Sequence, residues 1–479
     1  MADWVQSFEE YAQKLLAEAK VTGTAVGLAE QGVLRYFHGF GLADDTEDAK
    51  ALTPDTVFGI GSVTKSFTCV AIMQLQDAGK LSVHDPVIKY LPELRTPNEA
   101  YTREITIQHL MTHTAGFPPL DTLAGAMKRS IVEGGDDLSS SSGLAFDHLE
   151  KVEEINTKEE FMAYISKLNY EFLGAPGTEF SYSNDSYAML GLIIERVSGI
   201  AYEQFVQDHI LEPAGMKNSA FLIEDLPEEA EVATLFTRKS PKDGGEVYRS
   251  PSWWDSPSMR AAGFLKSTIH DLLRYTEIFR TGGLVGENRL LSPESVQDLT
   301  TPHVSISPFQ AYGYGFFVAT CHDGTLIEHG GAIKGVAAQI FVLPERGLTG
   351  AVLMNTDGGP MADLMHGILN ATNGRSPNTV PFQYPDYEIS VDALAAFTGE
   401  YHSSEGATVS VEIEENELIA KSNGANFPLR SVGEDSFVMK RGETDMFIHF
   451  VRNEEGVVTR MGFGARQLIK VLAEKEQTV

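Results

Sequence analysis

The chain is poor in cysteine and in basic residues, and it holds no long apolar run. Two cysteines, Cys69 and Cys321, cannot build a disulfide framework or a thiolate metal cluster. Cys69 falls in a helical apolar pattern and Cys321 beside a turn, and neither belongs to a Cys-x-x-Cys pair. No stretch approaches the roughly 18 consecutive apolar residues of a membrane-spanning helix, so no membrane partner is expected. Lys and Arg number 37 against 67 Asp and Glu, a net charge of −30. That balance repels polyphosphate backbones and anionic bilayers, and nucleic acid is excluded as an expected partner. The opening Met1-Ala2-Asp3-Trp4-Val5-Gln6 lacks the basic and apolar regions of a secretion signal, and the expected location is the cytoplasm. No metal and no organic cofactor is expected.

What is present centres on Val57-Phe58-Gly59-Ile60-Gly61-Ser62-Val63-Thr64-Lys65. A β-branched and aromatic run meets a glycine pair, and Ser62 then opens a helix with Lys65 one turn along. Residues at i and i+3 share a helix face, so the Lys65 amine can hang beside the Ser62 hydroxyl. A serine needs a neighbour to take its proton before it attacks, and a helix N-terminus offers N–H groups to a developing anion. Ser62 is the only serine followed three residues later by lysine. Tyr-x-Asn also occurs once, at Tyr182-Ser183-Asn184, after the Pro176-Gly177 turn. His-x-Gly occurs twice. His322-Asp323-Gly324 carries a hairpin signal, whereas His329-Gly330-Gly331 ends a strand and opens a segment where backbone can approach a ligand. His329 is therefore the candidate.

The elements fall in an ordered pattern. Trp4, Phe8, Tyr11 and Leu15 mark a one-faced helix, and Gly23–Ala29 and Val33–Gly41 a hairpin around Glu30-Gln31-Gly32. Segments 312–320, 326–329, 337–343 and 350–355 read as antiparallel strands, and 360–372 as helix. One sheet built from both ends of a main domain is expected, with helices between. From Asp121 to Glu154 the periodicity weakens, and Gly134–Ser142 forms a polar patch read as a loop or a flap. Three prolines, Pro377, Pro381 and Pro385, mark a linker, and eight short alternating segments follow, from 399–402 to 467–472. The expected class is α+β, an antiparallel sheet with helices and a helical subdomain, followed by a small antiparallel β-barrel. The expected divisions are residues 1–373, a linker at 374–386, and the barrel at 387–479.

Ser62-Val63-Thr64-Lys65, Tyr182-Ser183-Asn184 and His329-Gly330-Gly331, with the stretches 110–116 and 79–86, resemble the serine β-lactamase and penicillin-binding-protein superfamily. The likeness is greatest to its class C-like branch of D-aminopeptidases, DD-peptidases and esterases, and it covers roughly residues 10 to 372. The last segment resembles the lipocalin-like barrels appended to some of these peptidases. The resemblance implies an acyl-enzyme on Ser62, with Lys65 and Tyr182 moving its proton. It implies that Asn184 and His329 bind substrate and that Gly331 and Ala332 lie by it, the Ser62 and Ala332 amides forming an oxyanion hole. Many relatives hold lysine where this chain has His329, which is only part-time charged near neutrality. A free carboxylate is then a less obvious ligand. The expected function is a peptidase or amidase for small peptides, including those with D-residues. A carboxylesterase or transacylase is the alternative, then a β-lactamase, and outside enzymes an inactive binding or sensor protein. The partner is a small-molecule or peptide substrate, with homo-oligomer formation left open.

Overall fold

The computed structural model describes residues 3–135, 149–239, 245–442 and 444–471. The apolar stripe of the first helix, Asp3–Glu18, lies on an eight-stranded sheet beside the helix Met361–Thr372. The strand order across the sheet is Val33–Gly41, Gly23–Glu30, Leu348–Met354, Val336–Leu343, Gly324–Ile333, Phe317–Cys321, Gln310–Tyr312 and Val304–Ser305, all antiparallel. The first hairpin turns on Gln31 and Gly32, both with positive φ, as a two-residue turn matching the strand twist requires. Val26 pairs with Val352 in the centre. Residues from both ends of this region therefore close one sheet, and what lies between them is mostly helix.

Side chains alternate across the strands, so each face gains its own core. On one face Phe8, Leu16, Leu364 and Ile368 pack on Val26, Phe341 and Val352. On the other, Ile269 and Leu272 belong to a core with Ala25, Ile340 and Leu353. Each fully buried leucine or isoleucine contributes about 2 kcal/mol of transfer free energy. The helix Thr64–Asp77 is buried on every side from Thr64 through Met73, which places it inside the molecule. The class is α+β, an antiparallel sheet with helices, as expected. Among the described residues no helix is long and apolar enough to cross a membrane.

Within the weakly periodic region from Asp121 the chain forms a regular helix, Thr122–Glu133. Its buried face uses Ala124, Gly125 and Ala126 because the neighbouring chain comes close. A Cβ on Gly125 would lie 2.5 Å from the Glu153 carbonyl oxygen. Small residues at a tight contact carry little hydrophobic signal, which hides the helical period. The polar patch at 134–142 lies, beyond Gly135, outside the described residues.

Residues 373–390 contain no helix or strand. Each of the eight alternating segments then holds a strand, and these close a barrel running from Gly399–His402 to Arg466–Lys470. Tyr401 pairs with Lys470 at the closure. The interior is filled by Phe397, Tyr401, Phe437, Phe450 and Met461, as an eight-stranded barrel allows.

Candidate active site

The two-residue strand Phe58–Gly59 pairs with Lys266–Ser267 and delivers the chain to Gly61, whose φ of 48° turns it into a single 3-10 turn over Gly61–Val63. The helix Thr64–Asp77 follows directly. Thr64 Oγ1 donates to the Gly61 carbonyl at 2.7 Å and accepts from the Leu265 amide at 3.3 Å. Ser66 Oγ donates to the Val63 carbonyl at 2.8 Å and accepts from the Tyr275 hydroxyl at 2.8 Å. The turn is thus held by its neighbours, and the Ser62 hydroxyl is not consumed as a helix cap. The strand carrying His329-Gly330-Gly331 abuts it. A Cβ on Gly331 would stand 1.9 Å from the Ile60 carbonyl oxygen and 2.9 Å from the Ser62 nitrogen, and one on Gly61 would stand 2.8 Å from the Ala332 nitrogen. Glycine is required at both positions for this approach.

Lys65 is fully buried, with Nζ 3.1 Å from Ser62 Oγ, 2.8 Å from Asn184 Oδ1 and 2.6 Å from the Ala262 carbonyl oxygen. Burial, and after it the positive charge of Arg466, hold its pKa well below the ordinary lysine value. A neutral amine has two N–H bonds and one lone pair. As the ammonium Lys65 donates to all three; once it is deprotonated, Asn184 Oδ1 and Ala262 O, which can only accept, take its two N–H bonds and the lone pair is left for the Ser62 hydroxyl. This arrangement can remove a proton from Ser62.

Tyr182 sits in an extended stretch gripped from both sides. The Ser181 amide donates to the His113 carbonyl at 3.0 Å, the Tyr182 amide to the Ala465 carbonyl at 2.8 Å, and the Ser183 amide to His113 Nδ1 at 3.0 Å. Ser183 Oγ then caps the helix Asn184–Ser198 by accepting from the Ser186 amide, so Asn184 is placed in its first turn. The Tyr182 ring lies under Lys65, 4.7 Å from Nζ to the ring centroid. Burial raises the Tyr182 pKa, opposed by its hydrogen bond with Ser62, and the group is a phenol at neutral pH.

Ala465 belongs to the barrel, and it is not alone. Arg466 stacks on Tyr182 with Cζ 5.0 Å from the ring centroid. Its guanidinium donates to the Glu405 carboxylate. Desolvation opposes its charge and Glu405 outweighs that effect. Gln467 Nε2 donates to Glu179 Oε2 at 2.8 Å and to the Phe180 carbonyl at 3.0 Å. Sequence reasoning missed Arg466 and Glu405, because no local pattern tells a barrel arginine that it meets Tyr182.

His329 is 1% exposed and both its ring nitrogens are committed: Nδ1 meets the Gly330 carbonyl oxygen at 2.6 Å and Nε2 the Tyr312 hydroxyl at 3.1 Å. Burial, reinforced by Lys65, pushes its pKa down to about 3. His329 is therefore neutral, without the part-time charge read from its residue type. Ser62, Lys65, Tyr182 and Asn184 converge. Gly331 and Ala332 flank the Ser62 turn, and His329 is bonded to Tyr312 with its ring centroid 6.2 Å from that of Tyr182. His109 and His113, four residues apart, do not face a common ligand: His109 Nδ1 accepts from the Thr106 amide, and His113 Nδ1 from the Ser183 amide.

The chain is similar to Protein flp of Staphylococcus aureus (strain MW2), 25% identical over 368 residues, which are 74% of this chain and 63% of that protein. It is 28% identical over 315 residues to the putative penicillin-binding protein PbpX of Bacillus subtilis (strain 168), 66% of each chain. The chain thus spans less than two thirds of the length of flp. Among solved structures, the octameric penicillin-binding protein homologue from Pyrococcus abyssi is 26% identical with a TM-score of 0.67, over 97% of this chain and 100% of that one. Residues 8–372 match the family model described as Beta-lactamase, and the chain belongs to the beta-lactamase family.

Proposed function

We propose that the chain is a serine amidohydrolase that acylates Ser62 with small peptides or amides, including those with D-residues. Members of its family are serine hydrolases. The observation that carries the reading is the buried Lys65, whose Nζ lies 2.8 Å from Asn184 Oδ1, 2.6 Å from the Ala262 carbonyl oxygen and 3.1 Å from Ser62 Oγ, so that loss of one proton leaves its lone pair for Ser62. Lys65 takes the Ser62 proton as Oγ bonds to the substrate carbonyl carbon. The oxyanion meets the amides of Ser62 and Ala332, each such donor being worth about 3 kcal/mol. The Tyr182 phenol gives its proton to the leaving amine as the C–N bond breaks, and is reprotonated at the expense of Lys65. Water then cleaves the ester and restores Ser62. The Asn184 oxygen is held by Lys65, so its NH2 group is what meets a substrate carbonyl.

Neutral His329 supports amidase or esterase work over penicillin recognition, because it supplies no cation for a carboxylate. An esterase or transacylase uses the same proton path and is the second reading. The Lys65 geometry weighs against an inactive binding protein. We divide the chain at 373 and 387 and place it in the cytoplasm, and the octameric Pyrococcus abyssi homologue supports homo-oligomer formation. A fluorophosphonate should add mass to the peptide containing Ser62, and Ser62→Ala should abolish turnover. A panel of D- and L-amino acid p-nitroanilides against p-nitrophenyl esters tests the substrate class: turnover of esters alone would overturn the amidohydrolase reading.

A further inference from the structure

One buried row of hydrogen bonds joins three distant parts of the chain behind the site. His113 is 2% exposed and follows a short helix, with a φ of 58°. A residue with a Cβ holds that left-handed conformation only where its surroundings fix it. Its carbonyl accepts from the Ser181 amide at 3.0 Å and its Nδ1 from the Ser183 amide at 3.0 Å. Its Nε2 lies 3.2 Å from the Tyr312 hydroxyl, which lies 3.1 Å from His329 Nε2.

The direction of every proton in this row follows from its two ends. A backbone amide can only donate, so His113 Nδ1 carries no proton and His113 Nε2 must carry one. That proton goes to the Tyr312 oxygen. Tyr312 has one proton of its own, and it goes to His329 Nε2. At the far end a carbonyl can only accept, so His329 Nδ1 carries the proton and gives it to Gly330 O.

We propose that His113 is a positioning residue of the acylation centre, holding His329 through Tyr312 as the neutral ring protonated on Nδ1 while its carbonyl and ring fix the Ser181–Ser183 stretch that carries Tyr182. The inference rests on the hydrolase reading above for its kinetic consequence and on geometry alone for the tautomer. A second proton on His329 would have to sit on Nε2 facing a hydroxyl whose acceptor side is already occupied by His113. The row thus keeps an uncharged ring at the head of His329-Gly330-Gly331, where many relatives hold lysine. It also sets the edge Gly330–Ala332 against the Ser62 turn from the same anchor that sets Tyr182. The titratable and charged groups facing it are Lys65, Cys69, Tyr182, Tyr187 and Arg466, and Lys65 adds to the cost of any positive charge on either ring.

Two substitutions separate the two functions of His113. Tyr312→Phe removes the relay and leaves the His113 carbonyl and ring facing Ser181 and Ser183. His113→Asn keeps an acceptor for the Ser183 amide in a residue that tolerates positive φ but is too short to reach Tyr312. The readout is the 15N signature of the His329 ring in histidine-labelled full-length protein without substrate, from pH 5 to 9. The wild type should show one neutral ring protonated on Nδ1 with no titration. Both variants should lose that fixed signature, through mixed tautomers or a titration inside the window. The thermal midpoint serves to confirm that each variant is folded. The kcat should fall by about 10- to 100-fold with a smaller change in KM, as for a misplaced reacting group. A wild-type His329 protonated on Nε2, or variants with an unchanged signature, would overturn the proposal. Failure of Ser62 to take up a fluorophosphonate would sink the hydrolase reading and leave the tautomer result standing.

Discussion

Tyr182 gives its amide proton to the carbonyl of Ala465 at 2.8 Å, so the last hairpin of the barrel holds the backbone of the residue that faces Ser62. With His113 on the other side, the extended stretch 181–183 behaves as a strand bonded on both edges. The site is assembled from the sheet, the helical region and the barrel together.

Lys65 is the first test. Lys65→Arg preserves a long cationic side chain and removes a group that can give up its proton, since arginine stays charged. The loss in kcat/KM should be on the order of 10³-fold, the contribution of a well-placed general base. Circular dichroism should show an intact fold. A variant within about tenfold of wild type would remove Lys65 from the base role.

Arg466 acts on Lys65 at a distance. Burial comes first and the Arg466 charge second in disfavouring the Lys65 ammonium. Removing that charge makes Lys65 easier to protonate, so its neutral form survives only at higher pH. In Arg466→Gln the acid limb of the kcat/KM profile should move to higher pH. Arg466→Lys should leave it close to wild type. An unmoved limb in Arg466→Gln would dissociate the barrel arginine from Lys65.

Gly331 tests the close approach of strand and turn. Gly331→Ala puts a methyl group 1.9 Å from the Ile60 carbonyl oxygen, so backbone must move. Overpacking of this kind costs about 1–3 kcal/mol, and the thermal midpoint and the rate of Ser62 labelling should fall together. At Gly79, with φ 67° and nothing within 4 Å of an added Cβ, alanine meets conformational strain alone, about 1–2 kcal/mol. Gly79→Ala should label at the wild-type rate. Equal labelling losses in both would show that the Gly331 contact has no bearing on Ser62.

Asp185 gives a pH signature. It is 2% exposed, and burial raises its pKa from 3.8 to about 7 despite hydrogen bonds from Thr122 and Ser183. An acid raised on folding leaves stability fully present below its unfolded pKa and removes it as pH rises through the folded value. Wild-type stability should therefore drain away between about pH 4 and pH 7 through this group. Asp185→Asn should gain on wild type across that window by a few degrees in thermal midpoint, at about 1 °C per kcal/mol for a protein of this size. A constant gap between the two at pH 4 and pH 8 would count against an ionising Asp185.

Legibility in the sequence followed the range of the interactions. The barrel strands were readable because period-two alternation is local, and the first hairpin because Gln31-Gly32 sits between two strand patterns. Ser62 with Lys65, and Tyr182 with Asn184, were readable because each pair is joined by one turn of chain. The helix Thr122–Glu133 was not, since besides Met127 and Ile131 its buried face is made of small residues, Ala124, Gly125 and Ala126, pressed against the segment around Glu153 and Ile155. The protonation of His329 depends on Tyr312 and His113, far away in sequence, and residue type alone suggested the wrong charge. Arg466 depends on how two folded parts dock, and no spacing encodes that.

The grip of Ala465 and Arg466 on Tyr182 also sets an order in time. A ribosome delivers Ser62, Lys65 and Tyr182 well before the barrel's final hairpin, so the stretch 181–183 gains its bond to Ala465 last. The local geometry around Ser62 is therefore completed by the end of the chain, and its assembly is a late event of synthesis.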